Sequence, residues 1–100
     1  MELRNVYTFI RAAELKNFSK TADLLGYAQS TVTMQIHQLE EELGKPLFDR
    51  LGRTVSLTTF GEACLPLARK LYATAQEMQS LNLEPAELTG TLRIGVVESL

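Results

Sequence analysis

The segment from Gln29 to Leu43 constrains the fold of this chain more than any other part of the sequence. Four apolar residues spaced by four, three and four positions lie on one face of a helix: Val32, Ile36, Leu39 and Leu43. Residues 29–38 contain no acid, and their polar groups are amides, hydroxyls and one imidazole. Gly44 and Pro46 favour an end to the helix directly after it. The pattern predicts a helix that buries one face and presents an acid-free polar face.

Two shorter helices are predicted before it. The first covers residues 3–15, where apolar residues recur at helical spacing, and we expect Asn17 to take the left-handed conformation at its end. The second runs from Lys20 to Leu25, with Ser19 as its N-cap and Gly26 as its stop. Three short helices with a glycine turn between the second and the third predict a helix-turn-helix over about residues 18–37.

A hairpin and a long helix are predicted next. Residues 47–58 predict a small hairpin: Phe48 and Arg50 precede a turn at residues 51–53, after which apolar and hydroxyl side chains alternate over residues 54–58. Thr59 and Glu62 fit a capping box that opens a helix reaching to about Leu81. Pro66 lies inside that helix, so we expect one missing hydrogen bond and a bend there.

The long helix carries a heptad-like stripe that predicts pairing with another helix. Its members alternate spacings of four and three: Phe60, Cys64, Leu67, Leu71, Thr74, Met78 and Leu81. Cys64 is the only cysteine, which excludes an internal disulfide and favours a small buried residue over a redox switch. The stripe predicts a homodimer in which this helix is the seam.

Residues 82–100 predict a linker followed by one strand, carried by Leu92, Ile94 and Val96. A strand at the end of the chain has no visible partner, because a parallel neighbour needs a crossover connection. We therefore expect these 100 residues to be the front part of a longer protein.

Composition excludes several classes of protein. The longest apolar run is three residues, and the first residues lack the apolar core of a secretion signal, which predicts a cytoplasmic protein and no membrane partner. The sequence lacks the motifs of catalytic and metal sites: paired catalytic carboxylates, a nucleophile–histidine set, metal-ligand spacing and a phosphate loop. We therefore do not expect an enzyme or a metal site.

The net charge of −2 counts against a broad basic surface, so any contact with nucleic acid must be local. Glu40, Glu41 and Glu42 are expected to form a solvated helix face.

The order of the motifs resembles that of the LysR-type transcriptional regulators. The stretches that carry the resemblance are FSKTADLL (18–25), QSTVTMQI (29–36) and LEEELGKPLFDR (39–50), followed by Arg53, Leu57-Thr58 and Gly61-Glu62-Ala63. Residues 90–96 resemble the first strand of the family's effector-binding domain. The resemblance implies a mainly α fold: a winged helix-turn-helix over residues 1–58, a dimerising linker helix over 59–81, and a linker with the first strand of a truncated effector domain over 82–100.

The resemblance also implies a DNA-binding set with the third helix in the major groove and the hairpin as a wing. By position, Gln29, Ser30, Thr33 and Met34 face the groove and Arg53 lies on the wing. The predicted DNA-binding set adds four further candidates: Lys20, Thr31, Gln35 and Arg50. For Arg50, pairing with an acid and bracing of the wing are the alternatives to a DNA contact. The chain departs from the family's common residues at Ala28, which leaves the third helix without a side-chain cap, and at Ser30, Met34 and Phe60. Met34 either touches a thymine methyl group or covers neighbouring protein surface.

The function that follows is sequence-specific regulation of transcription by a homodimer on a two-half-site operator. The expected partners are double-stranded DNA and a second copy, with a tetramer as a further possibility for the full-length protein. No cofactor is expected in this part, whereas the C-terminal domain is expected to bind a small-molecule effector. A nucleoid-associated, cytoplasmic location follows. The alternative is a protein–protein dimerisation module whose helical head does not bind DNA.

Overall fold

The computed structural model describes residues 1–51 and 54–81, which form four helices and one antiparallel hairpin. In chain order the elements are α1 (Leu3–Leu15), α2 (Phe18–Leu25), α3 (Gln29–Leu43), β1 (Phe48–Leu51), β2 (Thr54–Leu57) and α4 (Thr59–Ser80). The mainly α, winged helix-turn-helix architecture is therefore confirmed. The wing tip with Arg53 and the strand predicted around Leu92 lie outside the described residues.

The connection between α1 and α2 differs from the prediction. Lys16, not Asn17, takes the left-handed conformation, with φ of 55°. Asn17 instead caps α2, because its Oδ1 accepts a hydrogen bond from the backbone N–H of Lys20 at 2.8 Å. Helix α2 consequently begins at Phe18, two residues earlier than predicted, and Ser19 is not its cap. Gly26 ends α2 with φ of 76°, as predicted.

The core lies where α1, α2, α3 and the hairpin meet. Its buried apolar residues are Val6, Phe9, Ile10, Ala12, Ala13, Phe18, Ala22, Val32, Ile36, Leu39, Leu47, Phe48 and Val55. The predicted stripe of α3 is confirmed, with Leu43 at its edge and only partly buried. The ring of Phe48 meets Phe9 and Phe18 edge to face, at centroid distances of 5.7 and 5.3 Å. These contacts fix the hairpin against α1 and α2.

The hairpin pairs four residues on each side, from Phe48 with Leu57 to Leu51 with Thr54. Such a short ribbon needs support from the rest of the fold. The backbone N–H of Val55 donates to the carbonyl of Lys16 at 3.4 Å, and that of Thr58 donates to the carbonyl of Leu47 at 3.0 Å. The first bond joins β2 to the head, and the second extends the strand pairing by one residue at the base of the hairpin.

Helix α4 starts one residue out of register with the predicted capping box. Thr58, not Thr59, is the N-cap, and its hydroxyl accepts from the N–H of Gly61 at 2.9 Å. The same hydroxyl lies 2.8 Å from the carbonyl oxygen of Pro46, to which it donates. A Cβ at Gly61 would overlap the carbonyl oxygen of Leu47, so this position requires glycine. The helix is continuous across Pro66.

Candidate nucleic-acid interface

The outer face of α3, formed by Gln29, Ser30, Thr33, Met34 and His37, is the candidate reading surface. All of these side chains are exposed except Thr33, which is partly buried. The sequence of α3 contains no lysine or arginine, so the chemistry of this face is amide, hydroxyl, thioether and imidazole. As predicted, Ala28 makes no side-chain cap at the start of the helix. An exposed helix face of this kind has the size to enter a major groove about 12 Å wide.

A concavity of about 440 Å³ adjoins this face and joins three elements of the head. The start of α2, the first turns of α3 and the hairpin contribute to its lining: Asn17, Phe18, Ser19, Gln29, Thr33, Arg50 and Val55. Lys20 is exposed next to Ser19 at the start of α2. The structure therefore brings three predicted site residues, Gln29, Thr33 and Arg50, to one surface depression.

Glu40 connects α3 to the hairpin, and its role was missed by the sequence analysis. Its carboxylate accepts hydrogen bonds from the backbone N–H groups of Leu47 at 2.8 Å and Phe48 at 3.4 Å. The same carboxylate pairs with Arg50 Nη2 at 3.3 Å. The side chain of Glu40 is only 12% exposed. The expectation of a solvated face at residues 40–42 is thus wrong for Glu40, although Glu41 and Glu42 are exposed.

Arg50 is held by two contacts within the head. Besides its ion pair with Glu40, its guanidinium carbon lies 5.2 Å from the centroid of the Phe18 ring. A guanidinium in this position is attracted to the ring face. Of the alternatives that the sequence left open, the structure supports the acid pair and the brace of the wing. Arg50 remains half-exposed at the concavity, so a DNA contact stays a prediction.

Gln35 does not belong to the outer face of α3, which corrects its place in the predicted DNA-binding set. Its side chain is 4% exposed, and its Oε1 accepts a hydrogen bond from the hydroxyl of Thr8 at 2.6 Å. Gln35 therefore joins α3 to α1 inside the head. Thr31, one turn earlier, is partly buried.

Helix α4 carries two apolar faces, of which only one packs on the head. The inner face contacts the core and consists of Phe60, Cys64, Leu65, Ala68 and Tyr72. Tyr72 stacks on Tyr7 of α1 with a centroid distance of 4.9 Å. Partial burial raises the pKa of the Cys64 thiol. Phe60 and Cys64 were predicted in the dimer seam, but here they pack within their own chain.

The remaining apolar members of the predicted seam form an outer stripe on α4. These residues are Leu67, Leu71, Met78 and Leu81, with exposed fractions from 43% to 66%. The described part of the chain provides no cover for this stripe. Within residues 1–51 and 54–81, no helix is long and apolar enough to cross a membrane.

The sequence profile described as "Bacterial regulatory helix-turn-helix protein, lysR family" matches residues 3–62. The chain belongs to the LysR family. The matched segment contains α1 to β2 and the start of α4, which is the winged head described above.

A named relative is similar to almost the whole chain. The chain is 50% identical over 99 residues to the uncharacterized HTH-type transcriptional regulator YwqM of Bacillus subtilis strain 168, which covers 99% of this chain and 34% of YwqM. The chain thus spans about a third of the length of that relative. YwqM is named as a transcriptional regulator.

Solved structures of LysR-type DNA-binding domains share the fold. The crystal structure of the CbnR DNA-binding domain with DNA has a TM-score of 0.77 at 35% identity and covers 80% of this chain and 92% of that one. The BenM DNA-binding domain on benA site 1 DNA has a TM-score of 0.75 at 40% identity, with 81% and 94% covered. Both are complexes with DNA, and both match about four fifths of this chain.

Proposed function

We propose that this chain is the DNA-binding and dimerisation part of a bacterial transcriptional regulator that acts on the nucleoid in the cytoplasm. It binds a two-half-site operator as a homodimer, with α3 in the major groove. The observation that carries the proposal is the exposed, acid-free outer face of α3 beside the concavity at Gln29 and Arg50. The similarity to two DNA-binding domains in complex with DNA supports it.

The mechanism is positioning, without chemical conversion. The amide of Gln29 has the donor and acceptor that adenine N6 and N7 require, while the hydroxyls of Ser30 and Thr33 suit base edges or phosphates. Thr31 is partly buried, so it contributes at most a contact from the margin of the face. Lys20 is exposed at the start of α2, where it suits a phosphate. A backbone contact by Arg53 on the wing rests on the family resemblance alone.

The dimer in this proposal is held by the outer stripe of α4. A second copy of the same stripe is its nearest apolar partner, and two-fold pairing is the commonest closed arrangement. Antiparallel α4 helices hold two heads apart, one for each half-site. The proposal places a small-molecule effector site and a tetramer contact outside this chain. They would lie in a region that corresponds to the part of YwqM beyond the match.

Salt-dependent binding to duplex DNA tests the function. A duplex is first selected from a randomised pool by its affinity for the chain, and binding is then titrated at several salt concentrations. We expect the logarithm of the binding constant to fall linearly with the logarithm of salt concentration, with a slope that corresponds to several neutralised phosphates. The alternative, a protein–protein module with an inert head, is favoured only by the acidic net charge. That alternative predicts dimers without any duplex binding, and this result would refute the proposal.

A further inference from the structure

Met34 is the one large apolar side chain on the outer face of α3. It is 51% exposed, whereas Val32 and Ile36 on the opposite side of the helix are fully buried in the core. Its neighbours on the face, Ser30, Thr33 and His37, are polar. Met34 is therefore not part of the core of the head, and it stands on the surface proposed to meet DNA.

The chemistry of the thioether limits what Met34 can contact there. It has no hydrogen-bond donor and only a weak acceptor, so it gains little from a phosphate or from the polar edge of a base. The apolar group that the major groove presents is the C5 methyl of thymine. A flexible, polarizable side chain can adapt to a methyl group at a range of angles.

We infer that Met34 is a specificity-determining residue that reads the C5 methyl group of a thymine in each half-site. The inference rests on the proposed function, since it requires α3 in the major groove. Met34 lies five residues after Gln29 on the same helix, about 7.5 Å along its axis, so the thymine is expected at a different base pair from the one that Gln29 contacts.

Replacement of single thymines by deoxyuridine tests the inference, because it removes only the methyl group. The probe is the duplex selected from the randomised pool, with dU placed at each thymine of a half-site in turn. At one position we expect wild-type binding to weaken about fourfold, the value for one buried methyl-sized group. The variant Met34→Ala is expected to bind the dT and dU duplexes equally, whereas Met34→Leu keeps the preference for dT.

Ser30→Ala is the matched control, because it changes the same face and should leave the ratio of dT to dU binding unchanged. All three variants alter exposed residues, and their melting temperatures verify that the head is folded. Intact duplex binding with no methyl-sensitive position, or a methyl preference that persists in Met34→Ala, would overturn the inference alone. Loss of all salt-dependent duplex binding in the wild-type chain would overturn the proposed function and this inference with it.

Discussion

At the scale of single residues, Gln29 offers the sharpest test of base reading. It is exposed at the first turn of α3 and lines the concavity next to the hairpin. We expect Gln29→Ala to weaken binding to the selected duplex by about 1–3 kcal/mol and to leave binding to a scrambled duplex nearly unchanged. Gln38→Ala is the control, since this amide accepts a hydrogen bond from Asn5 of α1 at 3.2 Å. Equal weakening on both duplexes would instead make Gln29 a backbone contact.

The buried hydrogen bond between Thr8 and Gln35 gives a second prediction at the scale of single residues, which concerns the stability of the head. Gln35→Leu removes the acceptor of the Thr8 hydroxyl and leaves a buried donor without its partner, which costs about 1–3 kcal/mol. Replacing both residues, as Thr8→Val with Gln35→Leu, removes the donor and the acceptor together, so we expect the double variant to recover much of the loss. Denaturant titrations of the two single variants and the double variant measure this coupling. Strictly additive losses would show that the hydrogen bond contributes nothing specific.

Gln35 and Glu40 also show where sequence reasoning stopped. Apolar periodicity located α3 correctly because its core stripe is local to the helix. A polar residue on a helix is buried only when a partner satisfies it, and those partners are distant in sequence: Thr8 is 27 residues from Gln35. Nothing in the spacing of α3 identifies such partners, so both residues were assigned to outward-facing sets.

At the scale of elements, the predicted helices and hairpin are right, but the caps at two junctions, before α2 and before α4, are not. In both cases the predicted cap and the observed cap are polar side chains close together in sequence. Ser19 was predicted where Asn17 is observed, and Thr59 where Thr58 is observed. The choice depends on the neighbouring element, because Thr58 also donates to the carbonyl of Pro46. A periodic pattern likewise identifies apolar residues without naming their partner, which is why Phe60 and Cys64 were assigned to the dimer seam.

Glu40 controls how α3 and the hairpin are joined, and this gives a prediction for the junction. Glu40→Ala removes the acceptor of the Leu47 N–H and the ion partner of Arg50, so we expect a loss of about 1–3 kcal/mol in the free energy of unfolding. Glu40→Gln keeps one oxygen as acceptor and should lose less. Glu42→Gln is the control, since its exposed pair with the N-terminus is expected to contribute about 0–1 kcal/mol. If Glu40→Ala and Glu42→Gln unfold alike in urea, the junction does not depend on this carboxylate.

At the scale of the whole molecule, the outer stripe of α4 decides whether one chain is a complete binding unit. From Leu67 to Leu81 the stripe extends about 21 Å along the helix, and all four of its side chains are exposed in the single chain. Two heads on one operator bind more tightly than one, because the second contact is intramolecular once the first has formed. Dimerisation and operator affinity should therefore be lost together when the stripe is disrupted.

Leu71→Glu tests this link, since it places like charges in the seam, where an unpaired buried charge costs several kcal/mol. We expect sedimentation at tens of micromolar to give a dimer for the wild-type chain and a monomer for the variant. The variant should keep a helical head but bind the two-half-site duplex far more weakly. Ala73→Glu introduces the same charge two residues further on, about 200° around the helix, and should remain a dimer. If the wild-type chain sediments as a monomer yet binds the two-half-site duplex tightly, each head acts alone. Operator affinity would then not depend on dimerisation, and the predicted link would be wrong.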